Sequence, residues 1–436
     1  MYYLLFTLYL LAFCFLVNRI PFIKNAGLDK RLVIVLFLFK AAAGVFIGWM
    51  SARYYPQGND YWDMNQYGLE EYHLLTSDPK GFFTNIFHSP YADKYGGFFK
   101  ATGSYWKDLA TNIIIKAVAL CDLFSRGNYY INSLFLNFFG FLGHVALYRI
   151  FSHVYSKRYQ WAVIIASFLV PTTLYFTSGL HKDNIIFAML GLFCYAFYFC
   201  IRQEFTKKRI LLLAISAISL LLLRNYVLIA LLPAAMAMYF ADRNNKPFKT
   251  FASIYGALIA IVILLALLLP AASPLQIIVQ RQKDFFELPV AVSQMRADTL
   301  KSSLESFAAI TPAALEHGLF RPYVWEFPKS FLLFPAVELF ICELLFIYVL
   351  IRRNVTISYK PFLYFGIFFS LTLLLFAGFI VPNAGSLVRY RSLYLPYLLL
   401  PILCGLFPRN KHIKILSIHS FCITITNILP TFHKKS

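Results

Sequence analysis

Charged residues are scarce in this 436-residue sequence. Only 14% are Asp, Glu, Lys or Arg, while 59% are hydrophobic. An ordinary soluble domain carries roughly 25% charged residues, so the composition excludes a water-soluble globular chain. No GxxxxGK[ST], HExxH or paired CxxC motif occurs, which removes the common phosphate-loop and zinc signatures. The seven cysteines (Cys14, Cys121, Cys194, Cys200, Cys342, Cys404 and Cys422) lie mostly inside apolar runs. There a free thiol behaves as a small hydrophobe, and the spacing gives no disulfide framework. No internal repeat of clear period is present, so the sequence signature of an inverted-repeat transporter is missing too.

What the chain does have is long apolar runs. A helical span needs about 20 such residues, and candidates start near residues 2, 32, 130, 161, 184, 210, 226, 251, 331, 361 and 392. The first, Tyr2 to Val17, lacks the basic leader and small-residue cleavage site of a secretion signal, so it reads as a retained span. The runs near 210 and 226 are short and separated only by Arg224 and Asn225, which suggests one tight helical hairpin that need not cross fully. After residue 412 the chain is only moderately apolar, leaving a twelfth span or a cytoplasmic tail open. The expected fold is an all-α polytopic transmembrane helix bundle of about eleven spans, a single integral membrane domain over 1–436.

The net charge of +20 is explained by topology. With the N-terminus outside, the inner segments collect 22 of the 40 Lys and Arg against three acids, Asp29, Glu204 and Asp242. Short cytoplasmic loops retain Lys and Arg, so one frame accounts for the excess and argues against nucleic acid as a partner. Two long outer segments remain, at 51–129 and 272–329. The first holds two helix-like stretches, Met64 to Thr76 and Leu109 to Phe124. In the second stretch an apolar face of Ile113, Ile114, Ala117 and Leu120 suggests a helix lying at the membrane interface.

Candidate chemistry falls on the outer side in this frame. Asp60 and Asp63 follow a Gly58-Asn59 turn among Tyr61, Trp62 and Tyr67, with Glu70 and Glu71 beyond. Three residues apart, the two aspartates share one face if a helix starts there. Either could take a proton from a hydroxyl or hold a divalent cation beside a pyrophosphate, although Asn59 or Asp60 could simply cap the next helix. Next comes Ser178-Gly179-Leu180-His181-Lys182-Asp183, where His181 and Lys182 stand with the N-terminal end of a helix that starts near Asp183. That suits an anion such as a lipid-linked phosphate; the plainer reading is a polar loop with Asp183 as cap. Arg224, Arg389 and Arg391 offer planar donor forks for phosphate on a face where the positive-inside rule does not require them. Arg321 pairs with Glu326 or binds substrate. Glu338 and Glu343 lie within a span, where acids are costly, and Lys40 or an outer Arg is their expected partner.

These residues resemble a family. The two N-terminal spans with a basic link, then Arg53-Tyr54 and Gly58-Asn59-Asp60-Tyr61 with Tyr67, are similar to the opening of bacterial polysaccharide polymerases of the EpsG/Wzy type. The outer-loop acids also resemble those of GT-C-class glycosyltransferases, which use polyisoprenyl-phosphate sugars. Arg389-Tyr390-Arg391 before a late proline-containing span is similar to elements of both. The acidic loop here follows the second span, where GT-C enzymes place theirs after the first. His181-Lys182-Asp183 stands where EpsG-type chains tend to carry Arg-Gln.

The resemblance implies a multi-pass protein of the bacterial inner membrane that works on an undecaprenyl-linked saccharide in cell-surface polysaccharide assembly. Asp60 or Asp63 would be catalytic, or would hold the metal if one is used. His181, Lys182, Arg224, Arg321, Arg389 and Arg391 would bind substrate, and Tyr61, Trp62 and Trp106 offer faces to sugar rings. No cofactor beyond a divalent cation is implied. A flippase for lipid-linked glycan, binding through the same cations without bond chemistry, is the alternative.

Overall fold

The computed structural model describes residues 1–54, 59–91, 95–98, 103–269, 273–288, 291, 293–352 and 359–406. Gly58, Arg353, Cys422 and the stretch after residue 412 lie outside the described residues. Among those described, the protein is all-helical and has no strand. Eight helices are long and apolar enough to cross a membrane: Lys30–Tyr54, Tyr129–Val154, Lys157–Phe176, Lys182–Arg202, Lys207–Asn244, Pro247–Leu268, Leu333–Arg352 and Lys360–Ile380. A shorter apolar helix covers Tyr2–Val17. A further helix covers Ala384–Gly405, beginning well before the run near residue 392 that the hydropathy pattern marks.

The bundle closes around the Tyr129–Val154 and Lys182–Arg202 helices. A side chain at Gly143 would meet Ala188 Cα at 2.6 Å, and one at Gly191 would meet Gly143 O at 2.6 Å. Small residues thus let the two backbones pack closely, as apolar solvent demands when lipid provides no hydrophobic drive between helices.

The Lys207–Asn244 element doubles back at Arg224, whose φ of −158° and ψ of 73° break the helix. The ion pairs fix its course. Arg224 meets Asp183 at the start of the Lys182–Arg202 helix, whereas Asp242 meets Arg202 at that helix's other end. Each arm of about 25–30 Å therefore runs most of the length of its neighbour. The expected hairpin is present and it is not shallow; its apex delivers Arg224 to one end of the bundle.

The Lys157–Phe176 span is broken as well. A π turn over Ile165–Leu169 runs into Pro171, leaving amides free. Glu338 satisfies one of them from another helix, accepting from Thr172 N at 2.9 Å and also from the Thr172 hydroxyl. Broken helices survive in a membrane when neighbouring side chains take up the freed backbone groups. Glu338 therefore does not pair with Lys40, one of the two partners expected for the intramembrane acids; of the other kind, an outer arginine, Arg391 lies within electrostatic reach of both Glu338 and Glu343. Lys40 is fully buried; it donates to Thr177 O and lies 3.2 Å from His144 Nε2.

The first long segment forms the expected helices, Asp60–Ser77 and Tyr105–Ser125. In the second of these the apolar stripe splits. Ile114 is buried while Leu120, Leu123 and Phe124 stay exposed, and the inward face carries Asn112, Lys116 and Asp122. Lys116 pairs there with buried Glu71 at 2.5 Å and lies over the Phe82 ring, pinning the two helices together.

Candidate functional site

Four pieces of chain meet at the end of the bundle marked by Arg224. The first is the start of the Asp60–Ser77 helix. Asn59 caps it, its side chain accepting from Tyr61 N, so the Asp60 carboxylate is left free for other partners. Trp62 fixes the helix against its neighbours by stacking on Tyr129 with ring centroids 4.3 Å apart and donating to Gly48 O. Its ring is thereby committed to packing. Tyr61 lies against the His181 ring at 4.7 Å.

The second piece is the Thr177–His181 loop. Gly179 has φ +79°, a conformation open to glycine. Asn137 Oδ1 accepts from both Gly179 N and Asn184 Nδ2, and Asn184 Nδ2 also donates to Gly179 O. Together with the Lys40 contact to Thr177 O, this network clamps the loop backbone. His181 caps the following helix, Nδ1 accepting from Asp183 N at 3.1 Å. The cap is His181, and this leaves Asp183 free for the cations.

The third and fourth pieces bring those cations. Asp183 is fully buried, with Arg224 Nη1 2.8 Å from its Oδ1 and Arg389 Nε donating to its Oδ2. The Arg224 contact is close but poorly aligned as a hydrogen bond. Arg224 also lies over the Tyr226 and Tyr390 rings, 5.6 and 5.0 Å from their centroids. Arg389 sits in the second turn of its helix and reaches three ways: to Asp183, to His181 Nε2 at 2.9 Å, and to Asp60 Oδ2 at 3.6 Å.

The electrostatics follow from this crowding. With His181 Nδ1 accepting from the Asp183 amide, the neutral ring carries its proton on Nε2, which lies 3.8 Å from Asp60 Oδ2 and also beside the Arg389 guanidinium. Burial, and then the Arg389 charge, lower its pKa to about 4, so the ring is neutral at pH 7. His181 and Arg389 in turn hold the Asp60 carboxyl well below the ordinary carboxylate value. Asp63 shifts the other way, raised by partial burial and by the Asp60 charge.

Asp60, Lys182, Arg224 and Arg389 line one cavity of about 510 Å³. Its remaining wall mixes Trp106, Lys107, Arg281 and Tyr390 with apolar Leu223, Ile229, Ile277 and Phe376. Ile229 and Ile277 are also exposed on the protein surface, so the cavity reaches the outside along an apolar edge. Another groove, about 610 Å³, lies at the opposite end beside Lys246 and Lys249, away from every residue of the cluster.

Five sequence candidates, Asp60, His181, Lys182, Arg224 and Arg389, thus come together. Three do not join them. Asp63 is exposed, one turn beyond Asp60. Arg391, two residues from Arg389 on a helix, faces elsewhere and donates to Gly318 O and Arg321 O. Arg321 lies between Glu316 at 3.4 Å and Glu326 at 3.3 Å. The fit to a divalent cation is poor, because Asp60 already faces Arg389 and His181. No group of three or more His, Cys, Asp or Glu suited to a metal occurs among the described residues. Asp183, read as a helix cap from sequence, is the acid that organises the cluster. The signal available was its place in the first helical turn beside two basic neighbours in space, and the second of these conditions is invisible in a linear reading. Arg281 and Lys107 were not singled out by any pattern.

Comparison with protein-family models, curated proteins and solved structures gives no significant match.

Proposed function

We propose that this protein is a membrane glycosyltransferase or polymerase that joins undecaprenyl-linked saccharides in bacterial cell-surface polysaccharide assembly. One observation carries the reading: Lys182, Arg224 and Arg389 meet Asp60 in a single cavity whose other wall is largely apolar and open to the surface. A headgroup with phosphate charge and a hydrocarbon tail needs that pairing of cations with an apolar edge.

In this reaction the acceptor hydroxyl oxygen attacks the anomeric carbon of the donor sugar. The bond from that carbon to the phosphate oxygen breaks, and its electron pair leaves with the lipid pyrophosphate. Arg224, Arg389 and Lys182 stabilise the charge that develops there. The hydroxyl proton passes to Asp60. Trp106 on the cavity wall offers an apolar face to a sugar ring.

The accompanying topology is eleven crossings of the inner membrane with the N-terminus outside. It counts the Lys207–Asn244 hairpin twice and adds Tyr2–Val17 and Ala384–Gly405 to the long apolar helices. The basic residues of the intervening short loops support that orientation. The resemblance to EpsG/Wzy-type polymerases and GT-C enzymes points the same way through Asp60-Tyr61 and Arg389-Tyr390-Arg391.

The test is to supply purified protein with lipid-linked oligosaccharide and search by mass spectrometry for a new glycosidic bond. A product that depends on Asp60 and Arg389 supports the reading. Glycan carried across a vesicle membrane but never joined would replace it with the flippase.

A further inference from the structure

Arg389 has three faces, and two of them are spent inside the protein. Its Nε is taken by Asp183, which is fully buried, and its Nη2 lies against buried His181. That leaves the Nη1 side, where Asp60 Oδ2 stands 3.6 Å away, and both residues line the cavity. The two aspartates differ sharply in setting. Asp183 has 1% of its side chain exposed and Asp60 has 64%. Asp183 is therefore a fixed part of the wall, whereas Asp60 is a solvent-facing anion held at longer range, 3.6 Å from Arg389 Nη1 and 3.8 Å from His181 Nε2.

We propose that Asp60 is a built-in stand-in for the ligand phosphate: a phosphate-bearing headgroup enters by displacing the Asp60 carboxylate from Arg389. This deepens the transferase reading and rests on it for the identity of the ligand.

The charge count favours such an exchange. Lys182, Arg224 and Arg389 bring three positive charges against the two of Asp60 and Asp183, with His181 neutral. Lys107 and Arg281 on the same wall add to this positive charge, and among the described residues Asp60 is the one acid lining the cavity that offsets it. Once Asp60 swings off, that surplus grows by one charge and favours a phosphate anion in its place. Displacement also has a chemical consequence. A carboxylate held by a guanidinium is a weak base, whereas the same carboxylate freed from it accepts a proton more readily. Asp60 caps nothing, since Asn59 does that, so its side chain can move without unwinding its helix. Donor arrival would therefore arm Asp60 for the acceptor hydroxyl, and the donor would have to bind first.

The experiment uses the full chain in lipid nanodiscs with inorganic pyrophosphate as probe, titrated calorimetrically against wild type, Asp60→Asn and Arg389→Gln. Asp60→Asn removes one negative charge from the anion's position and is expected to tighten pyrophosphate binding by about tenfold or more. Arg389→Gln is expected to abolish binding. Asp60→Ala, which also clears the space, should behave like Asp60→Asn. Unchanged or weaker binding in both Asp60 variants would overturn the proposal. The transferase reading fails separately. If both Asp60 variants bind pyrophosphate more tightly, yet wild-type protein joins no lipid-linked oligosaccharide, the displacement stands and the reaction does not.

Discussion

Asp183 bridges Arg224 and Arg389: one carboxylate oxygen lies 2.8 Å from the first guanidinium and the other accepts from the second. The two arginines come from the hairpin apex and from the Ala384–Gly405 helix, so this acid fastens three separate parts of the bundle. Replacing it by Asn would leave two guanidinium groups without their counter-charge in a buried setting. Breaking a buried pair on one side typically costs about 3–5 kcal/mol. Asp183→Asn is expected to lower the thermal midpoint of the detergent-solubilised protein markedly, measured by loss of the monodisperse peak after heating. A midpoint within a degree of wild type would contradict this role.

Arg224→Lys separates charge from shape. Lysine keeps the positive charge but loses the planar fork and the stacking on Tyr226 and Tyr390. Transfer to lipid-linked acceptor should fall by about 10²-fold, in the range seen when one preorganised donor to a developing anion is removed. The initial rate of product formation measures it, and near-normal rates in the lysine variant would show that charge alone suffices.

Gly179→Ala should damage the site without touching a charged group. At φ +79° an added Cβ is strained, and it would meet Ile47 Cγ2 at 2.7 Å. The expected cost is about 1–3 kcal/mol, with His181 and Asp183 displaced as the loop shifts. Pyrophosphate titration reads the second effect: affinity should fall although every cation is present.

Acid should unfold the protein early, and His181 sets the window. Its pKa is lowered to about 4 from the ordinary 6.5, so the unfolded chain takes up this proton first. Stability from the neutral ring is complete above about pH 6.5 and is lost as pH falls toward 4. Asp60, depressed below 3.8, adds a further loss below that value. His181→Gln should flatten the part between pH 6.5 and 4 in a plot of unfolding midpoint against pH. A wild-type curve that is level across that range would refute the assignment.

Much of this was legible in the sequence because helical spans and basic loops leave strong one-dimensional signals. Apolar runs locate the helices, and Arg224 interrupting one of them marks the hairpin turn. Pairing was not legible. Lys40 and Glu338 are both ionisable groups within spans, yet each serves a nearby backbone, Thr177 O and Thr172 N, because broken helices there expose polar atoms that no hydropathy pattern reveals. Arg389 and Arg391 look equivalent in Arg-Tyr-Arg. They diverge because Asn383 caps the helix from Ala384 onward, placing residues two apart on different faces. The hydropathy signal begins later than the helix itself, since the first turns carry Gly385, Ser386 and both arginines.

The account turns on the cavity that joins Asp60, Lys182, Arg224 and Arg389 being where a lipid-linked saccharide reacts. The most direct measurement compares Arg389→Gln with Arg321→Gln, an arginine of the same charge held between Glu316 and Glu326 outside the cavity. Both variants, alongside wild type, are given lipid-linked oligosaccharide in proteoliposomes and new glycosidic bonds are counted by mass spectrometry. Wild type and Arg321→Gln are predicted to form product at similar rates, with Arg389→Gln at least about 10²-fold slower. Equal rates in the two variants, or no product from wild type, would contradict it.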